Sequence, residues 1–119
     1  MNLIKSDKPP TIHGDGSFSR DFTYIENVVD VNIKALTTKN KECFGEVFNI
    51  GTGEHTSLKR LVEMLKKELN VDIEPLFGPE RPGDISHSIA DINKAKELLN
   101  YKPKISFEEG IKKYILTVL

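Results

Sequence analysis

Residues 46–61 read Glu-Val-Phe-Asn-Ile-Gly-Thr-Gly-Glu-His-Thr-Ser-Leu-Lys-Arg-Leu, and their reading decides the fold class. Residues 46–50 read as a strand, and Gly51-Thr52-Gly53 stops it. Thr56 or Ser57 can then cap a helix in which Leu58, Leu61, Val62, Leu65 and Leu69 line one face. Strand, glycine loop and helix in succession indicate an α/β or α+β protein.

Working outward from that stretch, short strands and helices continue in both directions. Towards the N-terminus, residues 1–9 are polar and carry no pattern. Residues 11–13 are a candidate strand, and Gly14-Asp15-Gly16-Ser17 is a turn. Thr23-Tyr24-Ile25-Glu26 has capping-box spacing. It opens a helix whose stripe of Ile25, Val28, Val29, Ile33 and Leu36, interrupted by Asn32, should face a core. Towards the C-terminus, residues 71–77 suggest an edge strand because Pro75 removes a ladder donor. Residues 78–84 are a loop rich in Pro and Gly, and residues 88–90 are a further short strand. Asp91 can cap a helix carrying Ile92, Ala95, Leu98 and Leu99. Ser106-Phe107-Glu108-Glu109 is a second capping box, opening a helix with Phe107, Ile111, Tyr114, Ile115 and Val118 inward. About four helices with short strands, in one domain over residues 1–119, is the expectation.

Composition narrows the function. The chain has 119 residues with 17 basic and 18 acidic side chains, a net charge of −1. That balance argues against nucleic-acid binding, which shows a basic excess or stripe. No uncharged stretch approaches the roughly 20 apolar residues of a membrane span. Lys5, Asp7 and Lys8 leave no apolar core for a signal peptide. A cytoplasmic protein without membrane association is expected. The lone Cys43 rules out an internal disulfide, and His13, His55 and His87 are too scattered for a metal site.

Arginine usage is the most informative local feature. There are fourteen lysines and three arginines. Arg60 belongs to a solvated helix face. Arg20 and Arg81 instead sit in loops, in Arg20-Asp21 and Arg81-Pro82-Gly83-Asp84. A guanidinium presents a fixed fork of donors that fits phosphate oxygens. Two such forks in a nearly neutral protein suggest a local anion site; the plainer account pairs each arginine with its neighbouring aspartate. His13 beside the Gly14 turn is either structural or a flat ring able to stack on a base. Gly51-Thr52-Gly53 lacks the third glycine and the distant acidic residue of a dinucleotide fingerprint. No Tyr-x-x-x-Lys pair exists, since the fourth residues after Tyr24, Tyr101 and Tyr114 are Val28, Ile105 and Val118. No catalytic centre is visible.

Three strings carry a resemblance: GDGSFSRDFTYIENVV from Gly14, EVFNIGTGEHTSLKRL from Glu46, and RPGDISHSIADINKAKELLNYKPKISFEEGI from Arg81. Together they resemble the C-terminal part of NAD-dependent nucleotide-sugar epimerases and dehydratases of the extended short-chain dehydrogenase/reductase group. Within that group they are most similar to UDP-N-acetylglucosamine and UDP-glucose 4-epimerases. The resemblance implies an isomerase of carbohydrate metabolism and polysaccharide biosynthesis. In it, hydride leaves the sugar C4 for NAD and returns to the opposite face after the keto sugar rotates about its diphosphate. The family's NAD loop and Tyr-x-x-x-Lys pair lie upstream of the matching region. The resemblance therefore implies a UDP-sugar-binding portion, inactive alone and without a cofactor or metal of its own.

It also implies roles. Arg20 and Arg81 would clamp the diphosphate from two sides, and Asp84 would accept a ribose or neighbouring hydroxyl. His13 stands where family members often carry Tyr or Phe against uracil. Thr11 would meet the base through its backbone, and Leu58 would pack near the nucleotide. A related dehydratase, decarboxylase or UDP-glucuronate epimerase is the alternative. Dehydratases commonly continue Arg-Pro-Gly with histidine, where this chain has Asp84. A third reading, from apolar surface left exposed, is a non-catalytic self-associating module, a homodimer.

Overall fold

A computed structural model describes residues 1–118. It is α/β, with five α-helices and four short strands among the described residues. In chain order these are α1 (Asn2–Lys5), β1 (Thr11–His13), β2 (Ser19–Arg20), α2 (Ile25–Thr37), β3 (Thr56–Ser57), α3 (Leu58–Leu69), β4 (Leu76–Gly78), α4 (Asn93–Leu99) and α5 (Phe107–Val118). A 3-10 turn, Lys41–Cys43, follows α2. Internal contacts gather these into two compact units. One comprises Met1–Arg20, Thr56–Ser88 and the chain from Ile111; the other comprises Asp21–His55 and Ile89–Gly110.

The first unit is built on α3. Ser57 caps it, its hydroxyl accepting from the Arg60 amide at 3.2 Å, and Asn70 ends it in the left-handed region at φ 52°. Its apolar face behaves as the periodicity requires. Leu65 is buried with Ile4, Ile73 and Ile115, and Leu61 and Leu69 pack against that cluster. Ile4 lies on α1, a helix of four residues that the polar N-terminal sequence does not announce; one fully buried side chain holds it. β1 pairs in parallel with β4, Thr11 opposite Leu76 and His13 opposite Gly78. Pro75 delays the expected strand, so that only residues 76–78 join the ladder. β2 pairs antiparallel with β3, Ser19 opposite Ser57.

The second unit has its own core of Val31, Cys43, Ile92, Ala95, Leu99 and Tyr101, with Phe48, Ile50, Ala90 and Leu98 packed around it. α4 begins at Asn93, after Asp91 accepts the Asn93 amide at 3.0 Å. The capping box at the start of α5 forms in both directions, Ser106 N–H to Glu109 Oε2 at 3.0 Å and Glu109 N–H to Ser106 Oγ at 3.3 Å.

Several expectations are corrected. α2 starts at Ile25 with no side-chain cap, because the Thr23 hydroxyl donates to Asp21 at 3.2 Å instead. The face of α2 that this unit buries carries Asn27 and Val31. The expected inward stripe is turned outward, with Leu36 86% exposed and Ile25, Val29 and Ile33 each at least half exposed. Residues 46–50 form no strand, because no segment of the described residues lies alongside to pair with them. Alternate side chains of that segment still separate, Phe48 and Ile50 inward and Val47 81% exposed. Residues 88–90 likewise form no strand; the nearest pairing is an isolated bridge between Ser19 and His87. On α5, Tyr114 and Val118 lie outward.

Candidate functional site

The first unit contains a cleft of about 290 Å³ lined by Pro10, Thr11, Ile12, His13, Leu58, Leu61, Val62, Arg81 and Asp84. Three chain segments build it. β1 supplies Thr11 and His13, the first turns of α3 supply Leu58, Leu61 and Val62, and the loop after β4 supplies Arg81 and Asp84. Of the six residues singled out as substrate contacts, five therefore line one cleft. The sixth, Arg20, joins it through Asp84: Arg20 Nη2 donates to Asp84 Oδ1 at 2.7 Å.

The loop segments are placed by backbone bonds as much as by side chains. Leu58 N–H donates to the Phe18 carbonyl at 2.9 Å and Lys59 N–H to the Gly16 carbonyl at 3.0 Å, which ties the start of α3 to the turn after β1. Gly16 has φ +82°, and a Cβ there would sit 3.2 Å from Lys59 Cβ, so the close approach requires glycine. Asp84 N–H donates to the Arg81 carbonyl at 3.1 Å, closing a turn around Pro82-Gly83 with Gly83 at φ +80°. This turn presents Arg81 and Asp84 from one short arc.

His13 is held by its ring. Nδ1 lies 3.0 Å from the Pro79 carbonyl oxygen. A carbonyl only accepts, so Nδ1 is the protonated nitrogen and Nε2 is left as an acceptor when the ring is neutral. The ring lies close over Gly78, where a Cβ would stand 3.4 Å from Nδ1.

The cationic groups differ in state. Arg20 is oriented on both sides, with Nη1 donating to the Ser19 carbonyl at 2.8 Å and Nη2 to Asp84. Neither arginine follows the plain account of pairing with the nearest aspartate in sequence: Arg20 takes Asp84, and Arg81 has no ion pair among the described residues. An unpaired guanidinium beside an apolar floor is suited to a polyanionic ligand with an apolar or aromatic end.

Asp21 has a separate task, in the second unit. Its carboxylate accepts from Thr52 N–H at 2.8 Å, Thr52 Oγ1 at 2.7 Å, Gly53 N–H at 3.0 Å and Ala90 N–H at 3.4 Å. Burial works to raise its pKa, but these bonds outweigh burial and hold it below the ordinary value. The Thr52 and Gly53 amides, which a phosphate in this loop would need, are thus already satisfied by an internal anion. Gly51 admits that anion only because it lacks a Cβ, which would clash with Asp21 and lie 2.7 Å from Ala90 Cβ. Its carbonyl accepts the buried Tyr101 hydroxyl at 2.7 Å. Asp21 carries no signal in the sequence beyond its place next to Arg20. The loop it fills does not fit a dinucleotide cofactor. No cluster of His, Cys, Asp and Glu able to hold a metal occurs among the described residues.

The model of the GDP-mannose 4,6 dehydratase family matches residues 1–114. A putative UDP-glucose 4-epimerase of Methanocaldococcus jannaschii is 38% identical over 115 residues, covering 97% of this chain and 36% of that protein. The crystal structure of the Thermotoga maritima UDP-glucose 4-epimerase with UDP-glucose superposes with a TM-score of 0.86 at 39% identity, over 98% of this chain and 37% of that one. The Bacillus cereus UDP-glucuronic acid 4-epimerase, in complex with UDP-glucuronic acid and NAD, gives 0.86 at 38% identity, over 98% and 38%. The chain spans about a third of the length of the curated relatives it matches.

Proposed function

This chain belongs to the GDP-mannose 4,6-dehydratase family, and from that membership we propose that it is the nucleotide-sugar-binding portion of a UDP-sugar 4-epimerase. The observation that carries the proposal is the single cleft lined by Thr11, His13, Leu58, Arg81 and Asp84, with Arg20 secured to Asp84. An apolar floor with a flat ring at one side suits a nucleobase. Arg81, without an ion pair among the described residues, and Arg20, oriented by Ser19 and Asp84, suit a diphosphate. Thr11 contributes backbone groups towards the base, and Asp84 has a second carboxylate oxygen with which to accept a ribose hydroxyl.

In this reading the chain's own task is grip. A 4-epimerase must hold the diphosphate firmly while the sugar turns over, so rigid cationic forks belong at the diphosphate and not at the hexose. NAD supplies the hydride chemistry in such enzymes; the Gly51-Thr52-Gly53 loop here, filled by Asp21, does not fit it. The 119-residue chain alone is expected to bind UDP without turning over a UDP-sugar. Asp84 after Arg-Pro-Gly, engaged with Arg20, favours an epimerase over a dehydratase. Glucose, glucuronate and N-acetylglucosamine forms of the sugar are all represented among similar solved structures; the motif around Arg20 favours a UDP-hexose or UDP-N-acetylhexosamine.

Isothermal titration of the chain with UDP, dTDP, uridine and the three UDP-sugars tests the proposal. UDP should bind and uridine should bind far more weakly. Equal affinity for uridine and UDP, or no binding of any nucleotide, would overturn it.

A further inference from the structure

Ser19 is only 2% exposed, and all of its polar groups are engaged. Its N–H donates to the Ser86 carbonyl at 2.9 Å, and its carbonyl accepts the Ser88 N–H at 3.1 Å. Its hydroxyl lies 2.9 Å from His87 Nδ1. One buried residue of β2 therefore holds three consecutive residues of the limb that follows the Arg81–Asp84 turn. The same Ser19 carbonyl also accepts Arg20 Nη1. The group that orients Arg20 from one side is thus tied to the 86–88 limb, and the group that orients it from the other side, Asp84, sits in the turn leading into that limb.

From this we infer that His87 is a positioning residue for the anion site. Its bond to the Ser19 hydroxyl adds a side-chain fastening to the backbone bonds that Ser19 makes with Ser86 and Ser88. It keeps the 81–88 loop in register with β2, so that Arg20 and Asp84 stay aligned and Arg81 stays over the cleft. His87 touches no ligand in this scheme; it acts through Ser19. A serine paired with a histidine invites a nucleophilic reading. Ser19 is too enclosed for a substrate to reach, and its other polar groups are all engaged by backbone, so the pair fastens and does not react.

The proposal rests on the diphosphate reading only for its ligand arm, and two readouts on the full 119-residue chain keep the two apart. The first, without ligand, is amide hydrogen exchange at Ser19 and Ser88. His87→Ala should accelerate both about five- to tenfold, the size of one hydrogen bond. His87→Asn, whose amide can occupy the Nδ1 position, should restore them, while His87→Gln, which reaches instead to the Nε2 position, should not. The second is UDP affinity, which should fall about five- to tenfold in His87→Ala and recover in His87→Asn. Should His87→Ala fold poorly, Ser19→Ala removes the same bond from the other side. Unchanged exchange in His87→Ala, equal rescue by Gln and Asn, or altered exchange with unaltered UDP affinity would each overturn the proposal. Altered exchange in a chain that binds no UDP at all would instead overturn the proposed function and leave the fastening in place.

Discussion

Arg20 pairs with Asp84, 64 positions away in the chain, at 2.7 Å, while Asp21, its sequence neighbour, accepts only from neutral hydroxyl and amide donors. The dipeptide Arg-Asp is thereby divided between two tasks. The arginine belongs to the cleft and the aspartate to a loop clamp. Both members of the Arg20–Asp84 pair are about a third exposed, so solvent screens their attraction and the pair contributes little to stability. Asp84→Ala should change the unfolding free energy by less than about 1 kcal/mol yet weaken UDP binding about tenfold, by freeing Arg20 and removing a hydroxyl acceptor. Chemical denaturation and titration calorimetry measure the two effects. Tighter UDP binding in Asp84→Ala would mean that the carboxylate competes with the ligand for Arg20.

Arg81 is the cleaner probe of ligand grip, because it has no ion pair among the described residues to lose. Arg81→Ala should leave the melting temperature unchanged and cost about 1.5–3 kcal/mol of UDP binding, the range for a charge-assisted contact, or about ten- to hundredfold in Kd. Arg81→Lys should recover only part, since an ammonium cannot reproduce the two-pronged geometry. Uridine, lacking phosphates, should bind all three proteins equally. A loss of uridine affinity in Arg81→Ala would move the arginine from the phosphates to the base.

Asp21 predicts an acid sensitivity. Its folded pKa lies below the ordinary 3.8: burial opposes the shift, and the bonds from Thr52, Gly53 and Ala90 outweigh burial. A carboxylate depressed in the folded state stabilises the fold fully above its unfolded value, and the contribution disappears as pH falls through the folded one. Stability should therefore drop below about pH 4 more steeply in the wild type than in Asp21→Asn, which has no charge there to lose. At pH 7, Asp21→Ala should cost about 1–3 kcal/mol for the buried donors it strands. Urea unfolding from pH 2.5 to 7 decides the matter; parallel curves for wild type and Asp21→Asn would show that the clamp adds nothing through its charge.

Local chemistry was legible where a short-range rule governs it. The Ser57 cap, the Ser106–Glu109 box and the buried Ile92, Ala95 and Leu99 all follow from spacing. The cleft residues came from loop arginines and from motif resemblance, and their convergence required the fold, because segments around 11, 58 and 81 meet only through β1, β4 and α3. What periodicity missed was decided by partners. Residues 46–50 have strand character but no neighbour to pair with, so propensity had nothing to act on. A stripe of isoleucine, valine and leucine on α2 marks a face suited to burial without saying against what; within its unit the helix turns Asn27 inward instead. Asp21 was hidden because its backbone donors lie 31 to 69 positions away.

Asn27 gives the last test, since it inverts the usual rule that a helix buries its apolar residues. It is 2% exposed, donates Nδ2–H to the Ile105 carbonyl at 2.8 Å, and accepts Lys104 N–H at 2.8 Å and Ile105 N–H at 3.0 Å on Oδ1. One side chain thus satisfies three backbone groups of the segment between α4 and α5, and no apolar side chain can replace it. Asn27→Leu keeps the branched four-atom side-chain skeleton and is more hydrophobic, so a burial argument alone predicts stabilisation. Hydrogen bonding predicts the reverse, a loss of about 2–4 kcal/mol from stranded amides and a stranded carbonyl. Asn27→Asp keeps the acceptor but replaces the donor, and should fall between the two. Urea unfolding of the three proteins separates the accounts: a leucine variant as stable as wild type would show that water or a backbone shift relieves residues 104–105, and that the second unit does not depend on its buried amide.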